Sequence, residues 1–171
     1  MVDLNILIPI IAFFGIFVGI LIGKFTREEI RNNRTYLIVL GKIIIAILIF
    51  TIILFTKNYG LLFIGVLIGF LSAYILSEFL FLGLQLGINL FLYKDVTLVT
   101  SFLVFMYTLI YGSLLRATKI SFSKILILFI MFFLPFSMFI LQKIFMVDLV
   151  IGFVAGGLSN YLIGNKFQLS N

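Results

Sequence analysis

The stretch NYGLLFIGVLIGFLSAYILSEFLFLGLQLGINLFLY, Asn58 to Tyr93, decides how the chain is read. It carries one charge, Glu78, near its middle. At about 1.5 Å per residue, a straight helix of this length would reach roughly 54 Å, against a hydrocarbon layer of about 30 Å. The stretch must therefore fold back on itself. Residues 58–77 are long enough to span, whereas residues 79–93 reach only about 22 Å if helical. The spacing predicts a helical hairpin with Ser77 and Glu78 at its turn, either two spans or a re-entrant pair.

Composition sets the class around this hairpin. Of 171 residues, 64% are hydrophobic and 11% charged, where a soluble domain carries about 25% charged. The expectation is an all-α, polytopic membrane bundle forming one transmembrane domain over residues 1–171, since no polar segment is long enough to bury its own core. The net charge of +6 sits in short loops between apolar runs, which orients a membrane protein rather than binding nucleic acid. With no Cys and no His, thiolate and imidazole chemistry are excluded, and no metal or cofactor is expected. Asp3, Asp95 and Asp148 fall at predicted helix ends, and no glycine-rich loop ends in Lys-Ser or Lys-Thr. An enzyme is not expected.

Seven helices are predicted, at about 4–23, 36–56, 60–77, 79–93, 96–115, 125–141 and 147–164. The N-terminus carries an acid and no base before the first apolar run, which reads as a retained helix rather than a secretory signal. Between the first two helices lies KFTREEIRNNR, where Thr26 and Glu29 have capping-box spacing that would allow a short surface helix. Lys42 falls inside the second helix. The Leu, Ile, Val and Phe residues between Leu37 and Phe55 each favour insertion by roughly 0.3 to 0.6 kcal/mol, and together they outweigh a single lysine at about 3 kcal/mol. Pro135 should kink the sixth helix. If residues 58–93 cross twice or dip and return, Lys24, Arg27, Arg31, Arg34, Arg116, Lys119, Lys124 and Lys166 lie on one side, against Lys57, Lys94 and Lys143. A single crossing would leave the two sides nearly balanced. The positive-inside rule then puts the N-terminus outside and the C-terminus in the cytoplasm of a cell-membrane protein.

Glycines recur four apart at Gly15, Gly19 and Gly23; Gly65 and Gly69; Gly83 and Gly87; Gly152 and Gly156. This spacing makes a flat groove that another helix backbone can approach. Contacts within the chain are expected to fill these grooves, the alternative being a homo-oligomer or other membrane subunits. FGIFVGILIGKFTRE (Phe14–Glu28) also aligns without gaps to IGVLIGFLSAYILSE (Ile64–Glu78), matching two glycines, a leucine and the glutamate. IGFVAGGLSNY (Ile151–Tyr161) repeats the glycines and the leucine.

Polar residues inside apolar helices are the places for function. At 100° per residue Glu78, Gln85 and Asn89 fall within about 20° of one line. Thr97, Ser101, Thr108 and Tyr111 make a second stripe, and Asp148, Gly152 and Ser159 a thinner third. Together they could line a narrow path, with Lys42 as the natural partner of Glu78. Met131, Phe132, Phe133, Phe136, Met138 and Phe139 are expected to face lipid. Two functions fit: a small-solute or ion transporter, channel or substrate-binding subunit using the Glu78 line, or a non-catalytic accessory subunit docking through its glycine grooves.

Overall fold

The computed structural model describes residues 4–116, 122–140 and 146–164. These form a helical bundle with no strand among them: α1 (Leu4–Phe25), α2 (Arg27–Asn32), α3 (Arg34–Ile53), α4 (Tyr59–Ser72), α5 (Glu78–Leu92), a 3-10 turn (Lys94–Val96), α6 (Thr97–Arg116), α7 (Phe122–Ile140) and α8 (Val147–Ile163). Leu7–Phe25, Arg34–Ile53 and Lys94–Leu115 are long and apolar enough to cross a membrane, which is compatible with a membrane protein. The predicted positions of Lys119, Lys143 and Lys166 lie outside the described residues.

Two local expectations are corrected. The first arm of the hairpin ends at Ser72 rather than at residue 77, so both arms are short. No proline or glycine stops α4. Instead its last carbonyls are taken by tighter bonds from Tyr74 and Ile75 and by side chains of α8: Asn160 Nδ2 donates to Phe70 O at 3.1 Å, and the Tyr161 hydroxyl to Ala73 O at 3.2 Å and to Leu76 O. Carbonyls without an intrahelical partner need such donors where water is excluded. Each arm is also capped at its start. Asn58 accepts from Gly60 and Leu61, and Ser77 accepts from Phe79. The second correction concerns α2, which forms without the capping box. Thr26 Oγ1 donates back to Ile22 O at 3.0 Å instead of capping.

The glycines explain which helices pair. A methyl group at Gly15 or Gly19 would collide with the backbone of α6 at Phe105 or Leu109, and one at Gly112 with Ile16 of α1. At Gly65 and Gly69 it would strike Leu149 and Phe153 of α8, and at Gly152 and Gly156 it would strike Leu62 and Val66 of α4. Gly83 of α5 meets the Phe132 carbonyl of α7. Gly23 and Gly87 are buried on the same faces of α1 and α5. The grooves are thus occupied by the chain's own helices. Residue order rises together on both partners, so α1 runs parallel to α6 and α4 parallel to α8. Across the first pair, Thr108 Oγ1 donates to Ala12 O at 2.8 Å. The aligned repeat holds for its glycines and fails for its glutamates: Glu28 is exposed and Glu78 buried.

α5 is the central helix. Every residue from Glu78 to Leu90 is buried except Leu80. It is packed against α1, α6, α7 and α8, and Gln85 reaches α3. The outer helices are apolar on their exposed faces, with Phe14, Phe17 and Leu21 of α1 and Ile43, Ile47 and Phe50 of α3 directed outward. A bundle that is apolar outside and holds its polar side chains at its centre suits lipid better than water. The aromatic cluster on α7 is not wholly outward as expected. Phe132 is fully buried, its ring 5.3 Å from that of Phe13.

Candidate functional site

Ser77 as N-cap puts Glu78 in the first turn of α5, where the positive end of the helix dipole favours a carboxylate. The side chain is 8% exposed. It faces the phenols of Tyr107 and Tyr111 on α6 and Tyr161 on α8. The Glu78 backbone N–H in turn meets the Tyr161 hydroxyl. One tyrosine therefore ties together the interhelical turn, the start of α5 and the end of α8.

Further along the same side of α5, Gln85 and Asn89 are both fully buried. Gln85 Nε2 donates to Leu48 O of α3 at 2.7 Å, with Thr51 Oγ1 at 3.4 Å. Asn89 Nδ2 donates to Thr100 Oγ1 of α6 at 2.6 Å, and Thr97 Oγ1 donates to the Asn89 carbonyl at 3.0 Å. The amide oxygens of both side chains have no hydrogen-bond partner among the described residues. The predicted line of Glu78, Gln85 and Asn89 is thus real geometry, directed into protein.

The other stripes join it only in part: Thr97 bonds to the Asn89 carbonyl and Tyr111 faces Glu78, while the remaining members turn elsewhere. On α6, Thr97 and Thr100 bond to α5, Thr108 bonds to α1, and Ser101 is directed outward and bonds within its own helix. On α8, Asp148 accepts from the Lys57 backbone N–H at 2.9 Å at one end of the bundle, Gly152 is closed by α4, and Ser159 bonds back to Ala155. A stripe on one helix dissolves when several different helices pack around it. Lys42 is half-buried, about 100° around α3 from Gly41 and outside the line Gly41–Ile45–Leu48–Ile52 that faces the core.

Four residues at the site were not singled out from sequence. Tyr107, Tyr161 and Asn160 belong to helices that only the fold brings to Glu78 and its turn. Thr100 is offset from the α6 stripe that spacing picked out. Of the residues one turn either side of Tyr107, Leu103 is apolar and only Tyr111 is polar, and tyrosine in a chain without tryptophan is expected at the interfaces. Comparison with protein-family models, with curated proteins and with solved structures finds no match.

Proposed function

We propose that the chain is a small multi-pass protein of the cell membrane that binds or moves a small solute or ion along the polar side of α5, with its N-terminus outside and its C-terminus in the cytoplasm. The observation that carries this is the enclosure of Glu78, Gln85 and Asn89 in the one helix buried on nearly every side. Burying a carboxylate and two amides in an apolar bundle is costly, and amide contacts between membrane helices return only about 0.6 kcal/mol each. Packing alone is a weak reason to keep them. The accessory-subunit alternative relied on glycine grooves meeting a partner, and the grooves are filled from within.

Proteoliposomes test the reading. Flux of protons, followed with an entrapped pH dye, and uptake of radiolabelled sodium or rubidium are measured for the wild type and for Glu78→Gln. The substitution keeps the shape and removes the charge. We expect a folded protein that loses flux. Wild-type flux no greater than that of empty liposomes, or equal flux in both proteins, would sink the proposal.

A further inference from the structure

We infer that Gln85 Oε1 and Asn89 Oδ1 form a binding site for a dehydrated monovalent cation between α3, α5 and α6, an inference that rests on the solute-path reading above and names the class of solute. The two oxygens sit one helical turn apart on the same side of α5, in fully buried side chains, with no partner among the described residues. Most donors around them are spent. Gln85 Nε2 and Thr51 Oγ1 both donate to Leu48 O, Asn89 Nδ2 donates to Thr100, and Thr97 Oγ1 donates to Asn89 O. What is left over is mainly acceptor capacity, beside the second Asn89 N–H and the Thr100 hydroxyl hydrogen, which is a poor setting for an anion.

A cation needs acceptors only. Valence follows from the ligands. Amide and hydroxyl oxygens are neutral, and rings of such dipoles replace the hydration shell of monovalent ions. Divalent ions call for carboxylates or keep their waters. Glu78, two turns away at about 10 Å, is the nearest acid on this side of α5 and is too far to be a direct ligand. The hydroxyls of Thr51 and Thr100 flank the two amides and can complete the shell.

The purified full-length protein in detergent, transferred to choline chloride, is titrated with lithium, sodium or potassium chloride at constant ionic strength. Thermal unfolding and equilibrium binding of radiolabelled sodium are followed together. One of the alkali ions should raise the unfolding temperature saturably while choline does not. Gln85→Leu and Asn89→Leu should each weaken binding at least about tenfold, which is about 1.4 kcal/mol. Asn89→Asp, which turns a neutral ligand into a charged one, should tighten it. Should the leucine variants fail to fold, Thr100→Val keeps both oxygens, releases the Asn89 amide from its 2.6 Å anchor and should weaken binding several-fold. Unfolding that follows ionic strength alone, identical in all four salts and without saturable binding, would mean the oxygens hold water and would overturn the site. Glu78→Gln separates this inference from the transport reading, because it should keep saturable binding while flux is lost. Flux without cation binding refutes the site alone, and binding without flux refutes transport alone.

Discussion

Two glycines of the same helix should respond to alanine with opposite signs. Gly69 lies where α4 and α8 touch backbone to backbone, and an added methyl would overlap the Phe153 carbonyl. Carbon–oxygen contacts settle near 3.5 Å, so the helices would have to part by about 1.5 Å. Overpacking of this kind costs about 1 to 3 kcal/mol, while replacing a helical glycine by alanine returns about 0.8 to 1 kcal/mol in propensity. The net for Gly69→Ala is a loss of up to about 2 kcal/mol, and Gly69→Leu should do worse because its branch cannot be accommodated by so small a shift. Gly60, in the first turn of α4, is exposed, and a methyl there meets only the side chain of its own cap, Asn58. Gly60→Ala should therefore be neutral to stabilising by up to about 1 kcal/mol. Equilibrium unfolding in mixed micelles, followed by circular dichroism, measures all three. If Gly69→Ala proves as stable as Gly60→Ala, α4 and α8 do not pack through their glycines and the pairing is wrong.

Tyr161→Phe removes the hydroxyl shared by Ala73 O, Leu76 O and the Glu78 N–H, and should destabilise by about 1 to 2 kcal/mol in the same assay; an effect under a few tenths would mean the turn is held otherwise. Lys42→Met should change stability by no more than about 0.5 kcal/mol and leave any flux through the wild type intact, because the lysine lies off the core-facing line of α3. Loss of flux in that variant would restore the expected pairing with Glu78. Single cysteines, introduced into a chain that has none, report sidedness with an impermeant thiol reagent. Glu28→Cys and Ile75→Cys should label from one face and Lys94→Cys from the other, and labelling of the first two from opposite faces rejects the proposed topology.

What could be read directly from sequence was whatever depends on length and local spacing. Residues 58–93 had to fold back because the stretch is too long for one helix, and α4 and α5 do so. Glycines four apart announced close helix approach, and α5 placed Glu78, Gln85 and Asn89 on one buried side. What stayed hidden depends on which distant helices meet. Nothing local pairs Gly15 with α6 rather than α8, or says that α4 stops at Ser72 because Asn160 and Tyr161 of α8 take its carbonyls. The α6 hydroxyls share a side by spacing, yet Thr97 and Thr108 serve different neighbours because α5 and α1 pack on that helix at different heights. Lys42 was expected beside Glu78. Where a lysine faces depends on the rotation of α3 about its axis, which residue counting does not set, and the core-facing line of α3 runs through Gly41, Ile45, Leu48 and Ile52.

The remaining choice, between a hairpin that crosses and one that dips, turns on heights within the bundle. α4 and α8 run parallel and begin together, since the Lys57 N–H before α4 meets Asp148 in the first turn of α8. They also end together. The turn after α4 is bonded to Tyr161, two residues before α8 finishes at Ile163. α5 starts at that turn and returns to the level of Phe55, whose ring stacks on that of Tyr93 at 4.4 Å, just past the end of α3. The hairpin therefore covers the height of α8, and if α8 crosses a bilayer then α4 and α5 cross it too, while the 20-residue α3 is longer than either arm. Parity excludes only a single crossing, which would set α6 against α1, whereas the glycine contacts hold α1 parallel to α6. Ile75, 90% exposed at the tip of the turn, then lies at the same membrane face as the basic loop around α2. Glu78 enters the bundle at that face, with Gln85 and Asn89 leading from it towards the other side.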